Sequence, residues 1–222
     1  MRTSRLLFLV SAAASLTFLL AHPLTAGDWP VIFKVLSILL LAVLGFRLDG
    51  LLGGALALSS LGDFLLGVRQ LGSLDGESLF LLGLGSFLIA HLGYIALFCK
   101  YQALVWWKPS PARLCGVLAI LVALGSMLRI LRQSLGSMLI PVVVYSLVLS
   151  CMGISAMLAD LGTPLAGFGV LLFIASDAMI AINMFRGPFP GSEQLIWITY
   201  YSAQFLILRG VERRHSRKQR TP

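Results

Sequence analysis

This chain has little charge. Only 12% of its residues are Asp, Glu, Lys or Arg, about half the share usual in a soluble domain. That shortage argues against a water-soluble fold. Histidine is scarce as well: there are three, of which His91 alone falls inside an apolar run, while His22 lies in a loop and His215 near the C-terminal end. An intramembrane zinc hydrolase needs three protein ligands, commonly histidines, around an open position, so that class is set aside. The three cysteines, Cys99, Cys115 and Cys151, are odd in number and form no CxxC pair. A disulfide framework or a zinc ribbon does not fit such a set. No GxSxG-like elbow and no glycine-rich phosphate loop ahead of a helix is found. A histidine-activated hydrolase stays open only with His91 as the base.

What the chain has in abundance is apolar length. Of its 222 residues 58% are hydrophobic, and its mean hydropathy is +0.93. In lipid only helices and closed barrels satisfy every backbone group. The apolar runs are continuous rather than alternating, which selects helices. Eight spans are expected, at about Leu6–Ala21, Val31–Phe46, Leu51–Gly67, Leu79–Phe98, Ala112–Leu131, Met138–Ala159, Ala166–Phe185 and Gln194–Arg209. The second is the shortest. The first also has the form of a signal peptide, although Leu24-Thr25-Ala26 puts leucine where a cleavage site prefers a small residue. Turn residues mark the linkers: Asp49-Gly50, Ser73-Leu74-Asp75-Gly76, Lys108-Pro109-Ser110-Pro111, Gly162-Thr163-Pro164 and Arg186-Gly187-Pro188. The expected fold is all-α, a polytopic membrane helix bundle with one domain over residues 1–209 and a basic tail over 210–222.

The net charge of +8 does not require nucleic acid, because the cations gather at span ends and in the tail. With both termini cytoplasmic, the inner segments hold Arg2, Arg5, Arg47, Lys100, Lys108, Arg113 and the cations from Arg209 to Arg220, against Arg69, Arg129, Arg132 and Arg186 outside. An even number of spans explains this bias. The tail is expected to touch anionic membrane lipid. The expected location is a membrane, the bacterial inner membrane, and the chain leaves its oligomeric state undetermined.

Against this apolar background a few polar residues stand out. A carboxylate at membrane depth costs roughly 2.5–3.5 kcal/mol on insertion scales, and its default reading is functional. Two occur: Asp63 in Ser59-Ser60-Leu61-Gly62-Asp63 and Asp177 in Ala175-Ser176-Asp177-Ala178. In this topology Asp63, Lys34, Tyr145 and Asn183 lie in the outward half, Asp177 at or just outward of the middle, His91 and Tyr94 near the middle, and Tyr200 and Gln204 from the middle inward. Such agreement in depth favours one shared cavity. His91 and Tyr94 are three apart and Tyr200 and Gln204 four apart, so each pair shares a helix face. Ser176 and Asn183 also share a face, with Asp177 turned about 100° from it. Gly53, Gly54, Gly62 and Gly67, with Gly83 and Gly85, would let helices approach closely. Ser60-Leu61-Gly62-Asp63 and Ile174-Ala175-Ser176-Asp177, four helices apart, form a short internal echo.

Each polar residue also has a plainer explanation. Tyr145, Tyr200 and Gln204 could be interhelical hydrogen-bond partners, His91 could bond a carbonyl, and Lys34 could extend to the headgroups. The two aspartates could be structural, paired with Lys34 or a tyrosine. The functional reading is an acid beside an anion. Buried together, one carboxyl keeps its proton and the other stays ionised. That pair suits cleavage of an acetal-like or ether carbon through an oxocarbenium-type cation. It equally suits proton-coupled transport or lipid binding by a membrane protein.

The motifs Gly62-Asp63, Ala90-His91-Leu92-Gly93-Tyr94, Ser176-Asp177 with Asn183-Met184-Phe185, and Tyr200-Tyr201-Ser202-Ala203-Gln204-Phe205-Leu206-Ile207 together resemble the lysoplasmalogenase (YhhN-like) membrane family. The resemblance covers the second to eighth spans in order. It implies hydrolysis of the vinyl ether bond of a lysophospholipid by water, giving a fatty aldehyde and glycerophospho-ethanolamine or -choline, with no metal or organic cofactor. Asp63 and Asp177 would then be catalytic. Lys34, His91, Tyr94, Tyr145, Asn183, Tyr200 and Gln204 would bind and orient substrate and water.

Overall fold

The computed structural model describes residues 2–21, 30–69, 75–101 and 110–218. The segments holding Leu24–Ala26, Ser73-Leu74, Lys108-Pro109 and Arg220, and also His22, lie outside the described residues. Eight α-helices follow one another: α1 Arg2–Ala21, α2 Pro30–Phe46, α3 Gly50–Arg69, α4 Gly76–Lys100, α5 Pro111–Leu131, α6 Leu139–Leu158, α7 Leu165–Arg186 and α8 Ser192–Lys218. A 3-10 turn at Gly136–Met138 leads into α6. The chain is an all-helical, polytopic membrane protein.

Six of these helices are long and apolar enough to cross a bilayer. The exceptions are α2 and α8. Seventeen residues of α2 rise about 25 Å, short of a hydrocarbon core of about 30 Å. Helix α8 has length to spare at 27 residues, but it opens with Glu193 and ends in a run of cations. It does not stop at Arg209, where the apolar run ends, but continues through the basic segment to Lys218. Arg, Glu and Lys are good helix formers, and Arg209 pairs with Glu212 one turn on.

The interior is apolar, and so is much of the exterior, unlike that of a soluble protein. Ile140, Leu9, Ile32 and Leu118 are among the large side chains left exposed, whereas Ser37, Ser59, His91, Ser176 and Gln204 are fully buried. Outward apolar side chains suit a lipid surround, and several of the buried polar groups bond neighbouring helices.

The chain divides into two compact units, Met1–Tyr94 and Ile95–Pro222. In the first, serines bond the carbonyls of neighbouring helices. Ser11 donates to the Ser37 oxygen at 2.8 Å, Ser60 to Val35 at 3.0 Å and Ser86 to Leu58 at 2.7 Å, tying α1 to α2, α3 to α2 and α4 to α3. Glycines permit the approach: a Cβ on Gly62 would lie 2.6 Å from the Phe87 ring, and one on Gly67 2.4 Å from Val31. Gly54 and Gly85 differ from the expectation. Both have open space where a Cβ would be, because they lie on helix faces turned from their neighbours.

In the second unit the tightest seam joins α7 and α8. A Cβ on Gly169 would meet the Ala203 carbonyl oxygen at 2.8 Å, and one on Gly210 would meet Ala166 at 3.1 Å. A smaller cluster of Leu131, Leu135 and Val142, with Met127, Met138, Ala181 and Phe185 against it, closes the ends of α5, α6 and α7.

Candidate active site

In the first unit the ordered polar contact is an ion pair. Lys34 Nζ on α2 lies 2.9 Å from Asp63 Oδ1 on α3, with the aspartate 2% and the lysine 23% exposed. A carboxylate so buried is tolerable because an ammonium compensates it. Gly62 beside it lets α3 close against Phe87 of α4. One turn before Asp63, Ser59 is fully buried, and its hydroxyl has no hydrogen-bond partner among the described residues.

The same unit presents His91 and Tyr94 on α4, both at 0% exposure. They belong to one buried stripe that runs through Leu79, Phe80, Phe87 and Ala90. This three-and-four spacing is that of a helix face packed inward.

In the second unit the corresponding contact is a short hydrogen bond. The Tyr145 hydroxyl on α6 donates to Asp177 Oδ2 on α7 at 2.5 Å. The adjacent Ser176 turns the other way and donates to the Ile196 oxygen of α8 at 3.1 Å. Two turns later, on the Ser176 face, Asn183 Nδ2 donates to the Ser192 hydroxyl at the start of α8, at 2.8 Å. The 100° step between Ser176 and Asp177 thus sends one side chain to α8 and the other to α6.

On α8, Trp197, Tyr200 and Gln204 form the inward stripe, exposed by 2%, 3% and 0%. The Phe173 ring of α7 meets the Tyr200 ring edge-on at 5.5 Å, and Trp197 lies 5.7 Å from the same ring. The sequence-derived residues therefore fall into two sets. Lys34 and Asp63 are joined, with His91 and Tyr94 buried in the same unit. Tyr145 and Asp177 are joined, with Asn183, Tyr200 and Gln204 in the other. Both pairings match the structural alternative recognised in the sequence, a lysine and a tyrosine as partners of the two acids. Among the described residues no three His, Cys, Asp or Glu side chains gather as a metal-binding group would need.

Two residues were not singled out by spacing. Ser192, 3% exposed, is the partner of Asn183. A serine heading an apolar run is a helix-start signal, and that was the available clue. Asp49, 8% exposed, reads from sequence as a turn residue. Its carboxylate accepts from the Leu51 amide at 2.9 Å and caps the start of α3.

The YhhN family profile matches residues 29–211. This chain belongs to the YhhN family. The match begins after α1 and ends inside α8, so it takes in all nine residues of the candidate site. Among curated relatives, a protein of Mycobacterium bovis named lysoplasmalogenase is 37% identical over 161 residues, which is 70% of this chain and 58% of that protein. Human lysoplasmalogenase TMEM86B is 35% identical over 158 residues, 71% of this chain and 61% of its own length. The mouse protein of the same name is 32% identical over 203 residues, 88% and 81% of the two chains. The YhhN chain thus spans less than two thirds of the mycobacterial and human proteins it matches. No solved structure matches it.

Proposed function

We propose that this YhhN protein hydrolyses the vinyl ether bond of lysoplasmalogen, with Asp63 and Asp177 as its acid–base residues. The observation that carries the reading is the family match over residues 29–211, in a chain whose similar proteins bear the name lysoplasmalogenase; the two intramembrane carboxylates, beside Lys34 at 2.9 Å and Tyr145 at 2.5 Å, are the groups it assigns to the acid–base chemistry.

The reaction divides into steps that these groups can serve. A proton is added to the vinyl carbon remote from oxygen, and the ether carbon becomes an oxocarbenium ion. Water adds to that carbon and loses a proton. The hemiacetal then collapses to a fatty aldehyde and the free glycerol hydroxyl of the glycerophospho-ethanolamine or -choline. In this reading Asp177, bonded to a neutral phenol, gives the proton, and the attacking water returns one. Asp63, already in an ion pair, supplies the anion that favours the cation. His91, Tyr94, Asn183, Tyr200 and Gln204 orient substrate and water. The apolar helices accept the alkenyl chain from the bilayer. The same reading places residues 1–209 as one catalytic membrane domain in a bacterial inner membrane, with both termini and the basic end of α8 on the cytosolic side.

The test is mass spectrometry of the purified chain incubated with lysoplasmalogen and with its saturated ether analogue. Aldehyde should form only from the vinyl ether, since the analogue has no double bond to protonate. Uptake of intact lipid into proteoliposomes without cleavage would favour proton-coupled transport instead.

A further inference from the structure

The second unit carries a group of cations that the proposed reaction does not use. Tyr101 follows the end of α4 and is 7% exposed. Its backbone is fixed from both sides, by its amide on the Phe98 oxygen and by the Asp160 amide on its own carbonyl, each at 3.0 Å. Above its ring lies the Arg214 guanidinium of α8, 4.9 Å from the ring centre. The Lys100 ammonium lies 5.9 Å from the same centre. His215 meets the ring edge-on at 6.3 Å.

Two cations drawn to one aromatic ring repel each other. Glu212 is paired with Arg209. Asp160 turns its carboxylate to the Gly162 amide at 3.2 Å. Arg213, exposed and next to Arg214, makes no ion pair among the described residues, and the Arg214 Nε meets no acceptor among them. A guanidinium that rests its face on a ring keeps its N–H edge for a planar or tetrahedral anion. Arg217 is anchored, donating to the Gly162 oxygen at 2.6 Å, which holds this end of α8 against the α6–α7 connection.

We propose that Lys100 and Arg214, gathered on Tyr101, together with the exposed Arg213 that precedes Arg214 in the chain, bind the phosphate group of an anionic lipid headgroup. Lys100 closes α4, a helix of membrane-spanning length and composition, so the cluster lies where such a helix meets the headgroup layer. The ring fixes the cations in place, and the phosphate relieves their mutual repulsion. This inference does not depend on the proposed hydrolysis.

The experiment uses the full purified chain in neutral detergent, titrated with phosphatidylglycerol, phosphatidylcholine or inorganic phosphate, with bound lipid counted by native mass spectrometry and thermal stability followed in parallel. Phosphatidylglycerol should bind saturably and raise the melting temperature, and phosphatidylcholine should do neither. R213Q/R214Q should weaken phosphatidylglycerol binding about tenfold or more, from roughly 1 kcal/mol per basic residue near a lipid surface. R129Q/R132Q removes equal charge at the far end of α5 and should leave binding intact. Size-exclusion elution checks that both variants are folded. Equal losses in the two variants, or no loss in either, would overturn the site. Inorganic phosphate giving the whole effect by itself would overturn the lipid assignment.

Discussion

The Tyr145 hydroxyl and the Asp177 carboxylate meet at 2.5 Å, joining α6 to α7 through two largely apolar stretches of helix. If Asp177 is the proton donor, this bond aims it. Asp177→Asn should then lower aldehyde release about a hundredfold or more. Tyr145→Phe, which leaves the acid but removes its guide, should lower kcat about tenfold with KM little changed. Steady-state assays on lysoplasmalogen read both. Full activity in a folded Asp177→Asn protein removes that residue from the chemistry.

The Lys34–Asp63 ion pair predicts a difference between single and double variants. Lys34→Met removes the ammonium beside a carboxylate that is 2% exposed, and losing one partner of a buried pair costs about 3–5 kcal/mol. Adding Asp63→Asn should restore part of that stability, because the uncompensated negative charge is gone. Thermal melts in detergent decide it. Equal losses in the single and double variants would mean that the pair contributes nothing.

Gly169 predicts a steric effect. Its added Cβ would lie 2.8 Å from the Ala203 carbonyl oxygen, which cannot move without shifting α8. Gly169→Ala should therefore destabilise by about 1–3 kcal/mol. Gly85→Ala, with nothing within 4 Å of the new carbon, should be neutral or raise the melting temperature through helix propensity.

Asp75, ahead of α4, predicts a pH effect outside the membrane segments. The Ser78 hydroxyl donates to it at 2.5 Å, and the Glu77 and Ser78 amides donate at 3.2 and 3.3 Å. These bonds favour the anion and hold the carboxyl below its ordinary value of 3.8, the Ser78 hydroxyl foremost. The stability it adds is thus present above the unfolded value and lost as pH falls through the folded one. Asp75→Ala should lower the melting temperature at neutral pH, and the difference from wild type should shrink below about pH 4. A constant difference across that range would exclude the carboxylate as its source.

The helices were legible because apolar runs and Pro–Gly punctuation report the same boundaries. The end of α8 was not, since hydropathy stops at Arg209 while backbone propensity carries the helix to Lys218. The faces of α7 were legible from angular spacing, which correctly separates Ser176 from Asp177. Partners were less so. Spacing within one helix shows that Asp63 shares no turn with Lys34, but not that α2 and α3 bring them to 2.9 Å. Glycine spacing has the same limit. It marks Gly54 and Gly85 as equivalent to Gly62 and Gly67, whereas only the latter two meet a neighbour. Ser192 was missed because its partner, Asn183, lies across a loop.

The backbone-to-backbone fit at Gly169 and Gly210 welds α7 to α8. Asp177 on one and Tyr200 on the other are therefore carried by one closely packed pair of helices, which is expected to move as a unit. If lysoplasmalogen is the substrate, its alkenyl chain is expected to enter by parting a seam other than this one, leaving the spacing of these two side chains unaltered while it passes.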